Sequence, residues 1–254
     1  MSEDAMHHLV VLYDIQASAA LADPEKLIAR QSMNDCCDAA LAAASIPSEQ
    51  VTVKDLGDGA MLRFTADVPK SRVLGVWLRE FHAGLKRDYE QMARPSQIRL
   101  AVHAGELHRS LSEHTGATLD FIARLVNAPV AKQVLEATPS APLAVVVSEQ
   151  IYDQVVRHRG GELEPDAFTP ISVQVKETDA SAWLYLPGWA RVPMPPGLTG
   201  AEEAALAARQ AESMDNGTAR LGRQEIAVSG GNVGVIGQTT VHGSFNVGGP
   251  AGLR

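Results

Sequence analysis

"VKDLGDGAMLRF", Val53 to Phe64, is the stretch on which the reading of this chain turns. At its centre an acidic, glycine-flanked segment, Lys54-Asp55-Leu56-Gly57-Asp58-Gly59, separates two strand-like runs. Gly and Asp are ordinary hairpin residues, and Asp-Gly between alternating apolar residues is a strong short-range hairpin signal. Taken alone, the stretch is a turn. A second carboxylate, placed independently, is needed before these acids point to chemistry.

Working outward, "HLVVLYDI" (His8–Ile15) is a compact apolar strand that ends in an acid, Asp14. Asp23-Pro24 reads as an N-cap followed by proline at the first helical position, which opens a helix running to about Ser45. The hairpin follows, and Lys70 to about Met92 is amphipathic and helical. "IRLAVHAGEL" (Ile98–Leu107) alternates as a core strand does, and "LDFIARLVNAPVAKQVLEA" (Leu119–Ala137) has helical apolar spacing. "APLAVVVSEQIYDQVV" gives a strand and a short helix, and "ISVQVKETDASAWLYLPG" gives two more strands. The order β-α-β-β-α-β-α-β-α-β-β predicts an α/β sandwich, with helices covering one mixed or antiparallel sheet.

Composition bounds the function. The chain has 254 residues, 45% of them hydrophobic, enough to bury one large domain core, and its formal net charge is -8. That charge, with no Lys/Arg cluster, argues against a nucleic-acid partner held through its phosphates. The acidic start "MSEDAMHH" lacks the basic region of a signal peptide, and no apolar run reaches the roughly 20 residues of a membrane span. The expectation is a cytoplasmic protein with no membrane partner. Adjacent Cys36 and Cys37 suit neither a mutual disulfide nor a zinc site and are expected to be buried or partly buried thiols.

A strand ending "YDI" and a hairpin reading "KDLGDG", with a helix between them, resemble the class III nucleotidyl cyclase homology domain. Three further stretches match in order. "IRLAVHAGEL" is similar to that family's strand with its His-x-Gly-Glu ending. Gly116 stands where the family has a glycine before its catalytic helix, with Arg124 on that helix, and "VVVSEQIYDQV" is similar to the later strand and helix. The likeness covers about residues 8–188 and is closest to divergent actinobacterial cyclase-like domains. It implies a ferredoxin-like cyclase fold in which Asp14 and Asp58 hold two divalent cations, hard oxygen ligands that suit Mg²⁺ or Mn²⁺. It also implies that Arg124 stabilises phosphate charge, that Lys54 and Glu113 contact the base, and that Asp120 stands at the ribose-orienting position. The sequence departs from the family there, with Asp120 where Asn is usual and Glu113 where Asp is frequent.

By the same resemblance the site forms at a twofold interface of a homodimer. One chain gives the metal ligands, and its partner gives the lysine, the ribose contact and the arginine. The substrate class is a nucleoside triphosphate, ATP favoured. Each residue also has a plain structural reading: Asp14 as a strand-end cap, Arg124 as a solvated or ion-paired helix residue, His103 as a packed strand histidine. The domain reading therefore stays open between an active cyclase and an inactive pseudo-cyclase that senses nucleotide or scaffolds.

Beyond it, residues 189–198 form a proline-rich linker. Residues 199–214 form a short helix opened by a Thr199/Glu202 capping pattern, and 215–254 form a flexible Gly/Asn-rich tail. Within the tail, "GGNVGVIGQTTVHGSFNVGG" (Gly230–Gly249) resembles amyloid-signalling motifs akin to the receptor-interaction homotypic motif, and Ile226–Val247 carries no Lys, Arg, Asp or Glu. The resemblance implies an effector partner bearing a matching segment; the plain alternative is a flexible tail.

Overall fold

The first strand, β1 (Ala5–Ile15), is apolar on both sides from Leu9 onward, because both faces of the sheet it enters are covered. A computed structural model describes residues 5–92, 95–109, 114–158, 163–175, 178–196 and Leu198. The helix expected at 199–214, the tail at 215–254 and Glu113 lie outside the described residues. The chain divides into two units, Met1–Ser213 and Met214–Arg254.

After β1 come α1 (Asp23–Ala43), β2 (Val51–Asp55) and β3 (Gly59–Phe64). A helical run follows, made of α2 (Lys70–Arg72), a π-helical segment (Val73–Trp77) and α3 (Leu78–Gln91). Then follow β4 (Ile98–Arg109), the two-residue β5 (His114–Thr115), α4 (Ala117–Val126), α5 (Pro129–Ala137), β6 (Leu143–Ser148), α6 (Glu149–Ile151) with a π-helical continuation, β7 (Thr169–Val175) and β8 (Thr178–Tyr185). The sheet order is β2-β3-β1-β4-β6-β8-β7, with β5 paired to β4. Among the described strands only β4 and β6 pair in parallel, and α4 and α5 form the crossover that a parallel pair requires. The mixed sheet with helices over it is the architecture expected from the sequence.

The period-2 alternation sorts each strand between two cores. Leu9, Val11, Tyr13 and Ile15 of β1 meet Ile98, Leu100 and Val102 of β4 under α1 and α3. Trp77 stacks on Phe81 at 5.0 Å between ring centroids, and Phe81 lies 5.2 Å from Tyr13. Val10, Leu12 and Ala101 face the opposite way, toward Ile122 and Leu125 of α4 and Val130 and Val134 of α5. Each large apolar side chain fully buried here contributes about 1.5–3 kcal/mol.

Four local expectations are corrected. β1 begins at Ala5 rather than His8, because its pairing with β4 extends to Ala5 opposite His108. Asp23 is the first helical residue, not the cap; Ala22 holds that place, and its N–H donates to Glu25 Oε2 at 3.0 Å. The helical stretch from Leu119 to Ala137 is two helices, since Pro129 has no N–H to continue the ladder and instead opens α5. The proline-rich segment is not a bare spacer: Val192 is buried, and Trp189 and Met194 pack against the α4/α5 core. Cys36 and Cys37 are free and buried, as expected. Among the described residues no helix is long and apolar enough to cross a membrane.

Candidate active site

Two acids far apart in sequence are brought together because β1 and β3 pair antiparallel, with Asp14 opposite Gly59. The Ile15 N–H donates to the Asp58 carbonyl at 2.9 Å and fastens the β2–β3 turn to the end of β1. Gly59 permits this: a Cβ there would fall inside the van der Waals shell of the Tyr13 carbonyl oxygen. Asp55 holds the turn itself, accepting the Gly57 N–H at 2.7 Å and pairing with Arg30 of α1 at 3.0 Å. These two contacts, the turn N–H foremost, hold the Asp55 carboxyl below its ordinary value.

Asp14 has a partner that sequence reading missed. It lies opposite Arg99 in the β1–β4 register, and the Arg99 guanidinium donates to its Oδ2. The Arg99 side chain is only 7% exposed, and its Nη1 also donates to the Val126 carbonyl at 3.1 Å and Asn127 Oδ1 at 3.0 Å, at the junction of α4 and α5. Asp14 Oδ1 is buried with no hydrogen-bond partner. Burial pushes the Asp14 carboxyl above the usual carboxylate value; Arg99 opposes that shift and the charge of Asp58 reinforces it. Asp58 itself is exposed and accepts a hydrogen bond from the Ser18 hydroxyl. Ser18 follows Ala17, whose φ of 54° puts a non-glycine residue in the left-handed region, beside the site.

The donor set suits hard divalent ions: two carboxylates, one with an orphaned buried oxygen, on a rigid strand end and a pinned turn. Among the described residues no third His, Cys, Asp or Glu completes a metal-binding group.

The remaining candidates lie on other elements. Lys54 is exposed on the edge strand β2, opposite Met61. Asp120 is exposed in the first turn of α4, and Arg124 is half-buried in its last turn. Helix α4 runs back along β4: Thr118 bonds the Glu106 carbonyl at 2.8 Å, while Val126 reaches Arg99. Gly105 makes room for this packing, since a Cβ there would collide with Thr118. The fold therefore delivers Arg99 to Asp14. Farther along β4, a groove of about 550 Å³ is lined by His103, Phe121, Ser148 and Asp179. His103 is packed there as expected, its Nδ1 3.0 Å from Ser148 Oγ and its ring 4.7 Å from that of Phe121.

Solved structures share this fold. An adenylate/guanylate cyclase/hydrolase from Silicibacter pomeroyi superposes with a TM-score of 0.54 at 18% identity, over 73% of this chain and 99% of that one. The chain has the adenylate/guanylate cyclase fold. The guanylyl cyclase Cya2 shares this cyclase fold with a TM-score of 0.50 at 15% identity, over 78% of this chain and 98% of its own. The adenylyl cyclase CyaB from P. aeruginosa does so with a TM-score of 0.50 at 13% identity, over 74% and 98%. No protein-family model and no curated protein sequence matches the chain. The cyclase fold thus stands on three-dimensional likeness, with the paired carboxylates at the end of β1 and in the β2–β3 turn.

Proposed function

We propose that this chain is a class III nucleotidyl cyclase-like enzyme of divergent actinobacterial type. It would convert a nucleoside triphosphate, ATP favoured, to a cyclic mononucleotide and pyrophosphate in a cytoplasmic signalling or defence role. The observation that carries the reading is the convergence of Asp14 and Asp58 within a cyclase fold. Asp14 and Asp58 would hold two Mg²⁺ or Mn²⁺ ions, which when bound would supply Lewis-acid activation of the 3'-hydroxyl and charge neutralisation at the phosphates. The chain's own groups do the rest. Arg99, its fork fixed by the Val126 carbonyl and Asn127, presents a desolvated cation to phosphate oxygens once Asp14 turns from it. From the partner of a homodimer, Arg124 stabilises charge in the transition state, Lys54 and Glu113 contact the base, and Asp120 faces the ribose.

Incubating the purified dimer with Mn²⁺ and each of the four common nucleoside triphosphates tests this. The expected result is cyclic product and pyrophosphate, both lost in Asp58→Ala. A folded dimer that turns over none of the four overturns the enzyme reading.

A second reading, an inactive nucleotide-sensing or scaffolding pseudo-cyclase, is favoured by one observation: Arg99 and Ser18 already satisfy one oxygen of each carboxylate. Binding of nucleotide without turnover supports it. In either case we propose that the tail at 215–254 recruits an effector with a matching segment by strand addition.

A further inference from the structure

The α5 helix reaches the carboxylate site by two routes. Gln97, just before β4, donates to the Leu135, Thr138 and Ala141 carbonyls at 3.1, 3.1 and 2.8 Å, fixing the end of α5 beside the start of that strand. Gln16, two residues after Asp14, donates to Glu136 of α5 at 3.4 Å. Lys132 lies one turn before Glu136 on the same helix face and is half-buried. Just ahead of the N-terminal end of α5, the Val126 carbonyl of α4 and Asn127 hold Arg99.

We propose that Lys132 is a phosphate-binding residue of the site, acting from the same protomer as Asp14 and Asp58 and paired with Arg99 as a two-cation clamp on the leaving pyrophosphate end of the substrate. This inference rests on the cyclase reading. The physical case is that two cations held near one another are stable only with anions between or beside them. In this structure Asp14 pairs with Arg99, and its charge also acts on Lys132. Burial lowers the Lys132 ammonium from the ordinary lysine value, the Arg99 guanidinium lowers it further, and Asp14 and Glu136 oppose the shift. When divalent ions claim the two carboxylates, Arg99 and Lys132 lose that counter-charge together, and a polyphosphate is the ligand that restores it. A lysine suits the role because its ammonium is a compact charge on a flexible stem, able to follow phosphate oxygens that the fixed Arg99 fork does not reach.

The test is isothermal titration of full-length dimer with inorganic tripolyphosphate in the presence of Mn²⁺, compared for wild type, Lys132→Ala, Lys132→Met and Lys132→Arg. Each variant is first checked by thermal melting, so that a packing role of the lysine stem, preserved in Lys132→Met, is separated from charge. Removing the cation should weaken tripolyphosphate about tenfold in both neutral variants. Lys132→Arg should recover most of the loss, and binding of Mn²⁺ alone should not weaken. If wild type binds tripolyphosphate and the folded neutral variants bind it equally well, Lys132 has no such role while the cyclase reading stands. If wild-type dimer with Mn²⁺ binds no tripolyphosphate, both fall.

Discussion

Arg99 is a buried cation paired with the half-buried carboxylate of Asp14. Truncating one partner of such a pair strands the other, at a cost of about 3–5 kcal/mol. Arg99→Ala should therefore lower unfolding free energy by about 3 kcal/mol in urea melts. Asp14→Ala on top of it should cost less than the sum of the two single changes. Additive losses would mean that the pair is not coupled. His103 makes a second prediction. Burial first, and the neighbouring His7 charge second, lower it from 6.5 to about 4. The folded state thus binds its proton later than the unfolded chain does, and stability is lost as pH falls from about 6.5 toward 4. His103→Gln should flatten that acid loss relative to wild type, by up to about 2–3 kcal/mol at the acid end. Asp14 and Asp58 were legible as candidates because each ends or interrupts an apolar strand pattern. Arg99 also interrupts one, in "IRLAVHAGEL", but its meaning depends on the cross-strand register, which no local pattern specifies. Lys132 was silent for the same reason, because a lysine on an amphipathic helix looks solvated until the helix is docked.

At the level of elements, the β2–β3 turn works through its closeness to β1. Gly59→Ala forces a methyl against the Tyr13 carbonyl, so the turn must lift away. The expected cost is about 1–3 kcal/mol, together with loss of any Mn²⁺-induced rise in melting temperature, because Asp58 moves with the turn. A variant that melts lower but still responds fully to Mn²⁺ would separate the turn from the metal site. Among the described residues the periodicity of the runs gave element type correctly, while boundaries moved where a neighbour decided them: β1 lengthened to match β4, and the long helix broke at Pro129. The proline-rich segment taught the opposite lesson, since its composition suggested a spacer but its apolar residues found a core. Truncation after Pro196 should leave the melting temperature within a few degrees of the full chain. Truncation before Trp189 should lower it by about 5 °C or more, because it uncovers the α4/α5 face.

Across the whole molecule, a site shared between two copies has a distinctive genetic signature. Asp58→Ala and Arg124→Ala should each be inactive alone. Mixing their subunits should restore activity to about a quarter of wild type, because half the random dimers are mixed and each mixed dimer keeps one of its two sites. No recovery would place both residues in one chain's site or remove Arg124 from it. Meanwhile the contact that defines the site joins residues 85 positions apart, Asp14 and Arg99. Closing so long a loop is entropically expensive, and chains dominated by such non-local pairing fold slowly. The binding centre is therefore a late product of folding. A nascent chain that has emerged only as far as the β2–β3 hairpin carries both carboxylates but no strand to bring Arg99 against them. It can form neither the Asp14–Arg99 ion pair nor anything that depends on it, so a polypeptide still under synthesis lacks this centre until its sheet is complete.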